Sequence, residues 1–571
     1  MYIERVPNRN SPPAVLIREG WREGDKVRKR TIANISHWPE AQIEALRRVL
    51  KGDRLVAPEE SFVIDRSLPH GHVEAILGTI RRLGLDKFIS PKRCKERDLV
   101  LAMIAERIIT PSSKLATTRL WHTSTLAEEL NVTEADENDL YRALDWLLQR
   151  QPQIEKRLAA KHLSEGALVL YDVTSAHYEG HTCPLVRYGH ARGGKKGCPI
   201  VVFGLLTDKE GTPVSVDVYA GNTADPTTVA DQVGKLQSRF SLNRVVLVGD
   251  RGMLTEPQIN SLKNHPGLGW ISALRSTAIR KLVDQGSLQM SLFDKQSLAE
   301  IYSPLFAGER LVACFNPLLA EERRRKREDL LTATEKELDK IVRDVARRTR
   351  KPLGKTAIAK RIGRVLNRYK MAKHFNLKID DGFLSYERKE ESISREASLD
   401  GIYIIRTSEP KERMSAEDTV GNYKNLAQVE RAFRSLKGFD IMVRPIFLRK
   451  EDHVRANIFL CMLAYYVEHR MRSLLRPLLF ENENLPNARQ IRDPVNPATT
   501  SMVTKKKKMI RRTADGLPIQ SLRTLLEDLS TRCRNQCRVQ GRPEELRFQQ
   551  ITKATPLQER VFKLLGLSCS Q

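Results

Sequence analysis

Three runs rich in β-branched residues decide the fold: residues 167–180 (ALVLYDVTSAHYEG), 199–221 (PIVVFGLLTDKEGTPVSVDVYAG) and 244–253 (RVVLVGDRGM). Gly, Pro, Asn and Asp bound these runs, which is typical of β-strands. The middle run predicts a hairpin that turns at residues 208–211, and residues 227–242 (TTVADQVGKLQSRFSL) predict a helix. The order strand, hairpin, helix, strand predicts a mixed α/β sheet.

Two acidic residues follow apolar strands of this predicted sheet. Asp172 ends the run LVLYD, and Asp250 ends the run VVLVGD. Carboxylates that end two neighbouring strands project from one edge of the sheet, where open α/β sheets place their sites. Either acid, taken singly, is also explained as a strand-end cap or an ion-pair partner. Together they predict a site at that edge.

A third acid lies on a predicted helix, residues 422–438 (NYKNLAQVERAFRSLKG). Tyr423, Leu426, Glu430, Arg434 and Lys437 recur at three- and four-residue spacing, which predicts one helical stripe. On such a stripe Tyr423, Glu430, Arg434 and Lys437 face one ligand together. The alternative is an ordinary surface glutamate, paired with Arg434 at i+4.

Three converging carboxylates without Cys or His form an all-oxygen site, which suits hard cations such as Mg²⁺ or Mn²⁺. Two such ions can activate a water or a 3′-hydroxyl and stabilise the leaving oxygen in an attack on phosphate. Clustered carboxylates also repel one another, and bound cations relieve that repulsion.

The charge balance indicates a polyanionic partner. The 571 residues include 97 Lys and Arg against 70 Asp and Glu, a formal net charge of +27, and 40% of them are hydrophobic. This composition excludes a disordered chain and favours nucleic acid as the partner. The excess is concentrated in residues 321–370, with 18 basic and 8 acidic side chains, and in residues 501–571, with 15 and 6. Each of these segments is either a solvated face or a phosphate-binding surface.

The location expected from the sequence is the cytoplasm. The N-terminus lacks the apolar core of a signal peptide. The longest apolar run, residues 458–467, is shorter than the roughly 20 residues that cross a bilayer, so no membrane is expected. The eight cysteines are scattered, which favours reduced thiols.

The chain resembles the DDE transposases of bacterial insertion sequences, in the IS4-like group and its IS1634-type branch. The resemblance rests on LVLYDVTSAHYEG, VYAGNTADPTT and VVLVGDRGM, and on the spacing Tyr423-x2-Leu426-x3-Glu430-x6-Lys437. That spacing is similar to the group's Y-x2-R-x3-E-x6-K signature. The resemblance to the group covers roughly residues 165–470 and, more loosely, the N-terminal β segment. Any one motif is weak evidence, whereas four in order are specific.

The resemblance implies an α/β fold with an RNase H-like catalytic domain interrupted by a β-rich insertion, a helical N-terminal DNA-binding region and a basic C-terminal tail. The expected divisions are a small β-containing segment (1–60), a helical DNA-end-binding region (61–165), the first part of the catalytic domain (166–265), the insertion (266–410), the second part with the Glu helix (411–475) and the basic tail (476–571).

The resemblance also implies residue roles. Asp172, Asp250 and Glu430 match the metal-binding catalytic triad, with two Mg²⁺ or Mn²⁺ ions in each active site. Tyr423 and Lys437 match positions that grip the transposon end. Leu426 departs from the signature, since the group has Arg there. Either Arg431 or Arg434 takes over its phosphate contact, or end binding is reorganised.

The function expected from these features is DNA transposition. Its partners are double-stranded DNA, as terminal inverted repeats and as target, and further copies of the chain in a dimer or higher assembly. A bacterial, nucleoid-associated protein in the cytoplasm is expected. Two alternatives stay open: a catalytically silent DNA-binding derivative of a transposase, and an RNase H-like nuclease without strand transfer.

Overall fold

The computed structural model describes residues 1–9, 11–53, 62–192, 197–294, 296–483, 493–495, 500–539 and 547–569. It divides into two compact units. The first comprises Met1–Leu68 and Cys533–Lys553, and the second comprises Pro69–Arg532 and Ala554–Ser570. The end of the predicted 1–60 segment, residues 54–60, lies outside the described residues.

The strands are β1 (Tyr2–Val6), β2 (Ala14–Glu23), β3 (Lys26–Asn34), β4 (Phe62–Pro69), β5 (Ala167–His177), β6 (Ile200–Asp208), β7 (Pro213–Tyr219), β8 (Val245–Val248), β9 (Leu268–Ala273), β10 (Leu298–Ile301), β11 (Arg310–Phe315), β12 (Phe375–Asp380), β13 (Phe383–Arg388), β14 (Ile402–Thr407), β15 (Cys533–Val539) and β16 (Arg547–Ile551).

The helices are α1 (Glu40–Leu50), α2 (Gly71–Leu83), α3 (Leu85–Ile89), α4 (Lys95–Ile109), α5 (Lys114–Leu120), α6 (Leu126–Leu130), α7 (Glu137–His162), α8 (Val229–Gly234), α9 (Glu256–Lys263), α10 (Ser276–Asp284), α11 (Pro317–Arg347), α12 (Lys355–Tyr369), α13 (Glu390–Ala397), α14 (Ala416–Lys424), α15 (Leu426–Lys437), α16 (Glu451–Leu475), α17 (Met502–Ile510), α18 (Leu522–Ser530) and α19 (Pro556–Leu565).

The first unit contains two small antiparallel sheets. One has the order β1-β2-β3, and the other has the order β16-β15-β4. Helix α1 covers the first sheet by packing Ile43 on Val15 and Ile35, all of which are buried. The predicted N-terminal β segment is thus a sheet with one covering helix.

An eight-stranded sheet forms the centre of the second unit, with the order β10-β11-β14-β9-β8-β5-β6-β7. Strand β8 runs parallel to both of its neighbours, β5 and β9. On either side of these three strands the pairing is antiparallel, between β5 and β6 and between β9 and β14. This is the predicted mixed α/β sheet. The β6–β7 hairpin turns at the predicted residues, and Gly211 supplies the left-handed φ of 89° that the turn requires.

Helices cover this sheet and share its core. Helices α4 and α7 pack on α16, and α16 packs on β7. Helix α4 is buried around most of its circumference, as is α16, because both lie inside this layer. Of the helical region predicted for residues 61–165, residues 62–68 belong to β4 of the first unit. The helices from α2 to α7 form a layer of the second unit, and their buried residues join its core. Across the part of the chain that the structure describes, no helix is long and apolar enough to span a membrane.

The structure corrects the expected β-rich character of the insertion. Strands β9, β10, β11 and β14 belong to the central sheet. The chain leaves that sheet after β11 and returns at β14, and between them lie α11, α12, the β12–β13 hairpin and α13. This segment, residues 317–397, has its own hydrophobic core and is mainly helical. We call it the helical finger.

The segment expected to be a basic C-terminal tail contributes helices to the core of the second unit. Helix α18 packs on α2, and α19 packs on α16 and α2. Leu522, Leu525 and Leu529 are buried, because their spacing places them on one face of α18. Lys507 is buried too, and its Nζ donates to the carbonyl oxygens of Arg476 and Glu481 at 2.8 and 3.1 Å.

Candidate active site

The strand register places Asp172 and Asp250 at the same level of the sheet. Strands β5 and β8 are parallel neighbours, and their last paired residues are Leu170 and Val248. Asp172 lies two residues beyond the first of these, and Asp250 lies two residues beyond the second. Asp172 is within β5 rather than at its end, because β5 continues along β6 after β8 has stopped. The two acids thus meet where β8 ends, as the sequence predicts.

Asp172 is the least solvated of the three acids. Burial, together with the negative charges of Asp250 and Glu430, raises the pKa of Asp172 to about 7. The N–H of Val173, which donates to Asp172 Oδ1 at 2.8 Å, and the charge of Arg192 act in the opposite direction. All three carboxylates therefore share one electrostatic environment.

Helix α15 carries Glu430 across the face of β5. Its inner face is apolar, and Phe433 meets Phe203 of β6 edge to face, with ring centroids 5.7 Å apart. Glu430 and Arg434 lie on the exposed side of the helix, as does Arg431. Neither arginine forms an ion pair within the described residues, so both remain available to a charged ligand.

Lys437 lies in the last turn of α15, and its side chain reaches strand β5. Its Nζ donates to Thr174 Oγ1 at 2.6 Å and lies 3.5 Å from the carbonyl oxygen of Arg192. Thr174 is two residues after Asp172, so both side chains lie on one face of β5. Burial and the charges of Arg444 and Arg192 lower the pKa of Lys437 to about 8, whereas Asp172 opposes that shift.

Tyr423 does not belong to the same helix as Glu430, which corrects the prediction of one continuous stripe. Helix α14 ends at Lys424 and α15 begins at Leu426, with a turn at Asn425 between them. Tyr423 nevertheless reaches the site, where its hydroxyl donates to Asp250 Oδ1 at 3.2 Å. Leu426 packs against the hydrophobic core instead, so this position makes no polar contact with a ligand.

Arg192 is a site residue that the sequence did not reveal. Its Nε donates to Asp225 Oδ2 at 3.1 Å, and its backbone N–H donates to Ser175 Oγ at 2.8 Å. These contacts hold the guanidinium near Asp172. Asp225 lies in the motif VYAGNTADPTT, residues 218–228, which contributes to the family resemblance. The sequence pattern could not predict this ion pair, because 33 residues separate Arg192 from Asp225.

Two features near the site have structural explanations that do not involve a ligand. Trp270 lies on β9 and is buried in the core, so it offers no ring surface to a DNA base. His177 and His181 have zinc-like spacing, but His177 lies in β5 and its Nε2 is 3.7 Å from Glu179.

The donor chemistry of the three acids fits a hard divalent cation, because such cations prefer carboxylate oxygens as ligands. Among the residues that the structure describes, no group of three or more His, Cys, Asp or Glu side chains is arranged so that it could hold a metal ion. The three acids thus interact electrostatically without forming a closed ligand cage. Glu430 is exposed, so rotation of its side chain can change its distance from the two aspartates.

Comparisons with known proteins identify two regions. A family model described as transposase DDE domain matches residues 164–467, more than half of the chain. A second model, IS1634 family transposase, N-terminal domain, matches residues 3–59. No curated protein matches the chain. Among solved structures, the chain is similar to a cryo-EM structure of the piggyBac transposase synaptic complex with hairpin DNA, with 10% identity, a TM-score of 0.30, and coverage of 77% of this chain and 88% of that chain.

Proposed function

This chain belongs to the DDE-domain transposases, with an N-terminal domain of the IS1634 type, and we propose that Asp172, Asp250 and Glu430 are its catalytic carboxylates. As a DNA transposase it acts on phosphodiester bonds, and enzymes of this family generally use divalent metal ions. The observation that carries the residue assignment is the register of β5 and β8, which brings Asp172 and Asp250 to one level. The effect of Glu430 on the pKa of Asp172 supports the third member.

The proposed ligands of the metal are the oxygens of these three acids. Two Mg²⁺ or Mn²⁺ ions bound there would supply activation of water or a 3′-hydroxyl and stabilisation of the leaving oxygen. The protein supplies the placement. The Tyr423 hydroxyl orients the Asp250 carboxylate, and the Val173 N–H orients that of Asp172.

The same site supplies cationic contacts for the DNA strand. Lys437 lies on the strand face of Asp172, where its ammonium group meets the phosphate backbone next to the cleaved bond. Arg431 and Arg434 lie on the exposed side of α15 and bind flanking phosphates of the transposon end. Since Leu426 packs into the core, one or both of these arginines replace the contact that the family signature places at that position.

The proposed substrates are the terminal inverted repeats and a target duplex, joined by two successive reactions in an assembly of two or more copies. Exposed side chains of the helical layer, residues 71–162, add contacts to the end. The place of action is the nucleoid of a bacterial cell.

The assignment is tested by cleavage and joining of a duplex that carries the element's own terminal repeats, with Mg²⁺. Asp172→Asn is expected to abolish both reactions, a loss of about a thousandfold or more, because a metal ligand supplies several kcal/mol of transition-state stabilisation. End binding is expected to persist. Glu417→Gln, an exposed glutamate on the preceding helix, is the matched control and should leave both reactions intact.

The outcomes separate the alternatives. Retained cleavage by Asp172→Asn removes Asp172 from the catalytic set. End binding without cleavage by the wild type supports the silent derivative, and cleavage without joining supports a nuclease. Cleavage by the wild type that survives a chelator contradicts the metal assignment.

A further inference from the structure

The helical finger concentrates positive charge at its far end. Its 31-residue helix α11 is about 46 Å long at 1.5 Å per residue. At its base, Arg327 pairs with Asp400 beside the start of β14. From residue 343 to residue 370, around the tip and along α12, the sequence has eleven Lys and Arg and a single acid, Asp344.

About half of the acids of the finger form ion pairs with basic side chains nearby. On α11, Glu321 pairs with Arg324, and Glu337 pairs with Lys340. Arg388 of the β12–β13 hairpin forms ion pairs with both Glu328 and Glu335, and Arg361 of α12 forms an ion pair with Asp344. Between residues 343 and 370, within the described part of the finger, the basic side chains that form no ion pair with a carboxylate are Arg343, Arg347, Arg348, Arg350, Lys351, Lys360, Arg364, Arg368 and Lys370.

Three of these form a ridge on α12. Lys360, Arg364 and Arg368 are spaced at i, i+4 and i+8, and all three are exposed. The opposite side of the helix is buried through Ile358, Ile362 and Leu366, which pack against α11. The ridge therefore points to solvent along about 12 Å of helix axis, a length over which one strand of a DNA duplex carries three to four phosphates.

A glycine lies beside this ridge without a structural reason inside the protein. A Cβ built on Gly363 would meet no atom within 4 Å. Glycine inside an exposed helix costs about 1 kcal/mol relative to alanine. No close packing in the described structure explains it, whereas the approach of a bulky partner to the helix surface does.

We propose that the ridge Lys360–Arg364–Arg368, together with the basic tip at residues 347–351, is a second DNA-binding surface that holds the phosphate backbone of a duplex independently of its sequence. The ridge offers ammonium and guanidinium groups at phosphate-like spacing, and Gly363 lets the backbone approach. This inference uses the fact that the enzyme acts on DNA, and it does not depend on the catalytic carboxylates.

The test is duplex binding by fluorescence anisotropy over a range of salt concentrations, without divalent cations, so that failure of the catalytic assignment does not affect it. The variant is K360Q/R364Q/R368Q. Each lost phosphate contact lowers the slope of log affinity against log salt by about 0.9, so a decrease of about 2 to 3 is expected. Glutamine favours the helix, and unchanged circular dichroism verifies the fold.

The matched control is R324Q/K340Q/K373Q. It removes the same charge from the same finger, but each of these residues pairs with a neighbouring acid. The control is expected to keep the wild-type slope within about 0.5, which is less than one phosphate contact. An equal decrease in both variants would mean that net charge alone acts, and an unchanged slope in K360Q/R364Q/R368Q would remove the ridge from the interface. Either result overturns the proposal.

Two duplexes of equal length distinguish sequence-independent binding from binding of the terminal repeat. One carries the terminal repeat, and the other carries the same bases in scrambled order. Loss of affinity for both supports backbone binding, whereas loss confined to the terminal repeat contradicts it.

A charge-neutral variant, Gly363→Met, is expected to weaken binding several-fold while raising thermal stability. Thr332→Met, an exposed position on α11, serves as its control and should bind as the wild type does. Unchanged binding by Gly363→Met would show that no backbone approaches this face.

Discussion

The hydroxyl of Tyr423 donates a hydrogen bond to Asp250, with 3.2 Å between Oη and Oδ1. The two residues lie 173 positions apart, and the contact joins the last turn of α14 to the end of β8. Burial raises the pKa of Tyr423, and the charge of Asp250 raises it further, so the phenol remains protonated and continues to donate. The contact fixes the Asp250 carboxylate relative to the helix pair that carries Glu430.

Removing this hydroxyl is expected to weaken the active site without dismantling it. Tyr423→Phe keeps the ring in place and loses a hydrogen bond to a charged group, worth about 1.5–3 kcal/mol. Metal affinity or cleavage should fall about 10- to 100-fold, as for other residues that orient a metal ligand. Titration of cleavage with Mg²⁺ measures this. Tyr403→Phe, whose hydroxyl donates to the Val495 carbonyl, is the control. A wild-type Mg²⁺ dependence for Tyr423→Phe would show that the contact has no role in catalysis.

Asp172 is expected to limit the stability of the metal-free protein above pH 4. Its folded-state pKa is raised to about 7, so between its ordinary value near 3.9 and about 7 the folded state binds more protons than the unfolded state. The free energy of unfolding therefore falls as pH rises through this window. In the presence of a chelator, the melting temperature of Asp172→Asn should be several degrees above that of the wild type at pH 8. At pH 4 the two melting temperatures should be equal. Differential scanning fluorimetry checks this, and equal melting at pH 8 contradicts the raised pKa.

Lys437 is expected to neutralise one phosphate of the transposon end. Lys437→Ala should lower the affinity for a terminal duplex and flatten its salt dependence by about one unit of slope. Lys437→Arg keeps the charge and should keep the slope. The measurement is anisotropy on the terminal duplex in several salt concentrations. An unchanged slope in Lys437→Ala would show that its ammonium group serves only Thr174.

Lys114, in the helical layer, is expected to produce a second pH dependence. It is buried and donates to Asn457 Oδ1 at 2.9 Å, and burial lowers the pKa of Lys114 to about 7. Between about pH 7 and 10 the unfolded state binds more protons, so the free energy of unfolding rises with pH. Lys114→Met should therefore gain stability over the wild type at pH 6.5 and lose that advantage at pH 9.5. The exposed Lys92→Met is the control, and a pH-independent difference for Lys114→Met would exclude this titration.

The sequence predicts the central sheet well because strand periodicity is a local property. The β-branched runs correspond to β5, β6, β7 and β8, and the level shared by Asp172 and Asp250 follows from parallel pairing of two runs that each end in an acid. What these runs could not specify is the additional pairing of β5 along β6 beyond Asp172, since that depends on where the neighbouring β8 stops.

The remaining differences come from contacts between distant residues. A break at Asn425 leaves the three- and four-residue spacing intact, so the pattern could not distinguish one helix from two. Net charge suggested a solvated tail, but Lys507 donates to backbone carbonyls about 30 residues away, and α18 and α19 bury their leucines. Charge tallies report composition, whereas burial depends on which face of a helix the charges occupy.

We propose that Asp172, Asp250 and Glu430 together bind the divalent ions that cleave DNA. The most direct measurement is the anomalous scattering of Mn²⁺ in crystals of the wild-type protein with its terminal duplex. We expect Mn²⁺ within about 2.0–2.4 Å of oxygens from all three carboxylates, beside the phosphate to be cleaved. Mn²⁺ bound elsewhere, or bound without Glu430 or either aspartate, would contradict it.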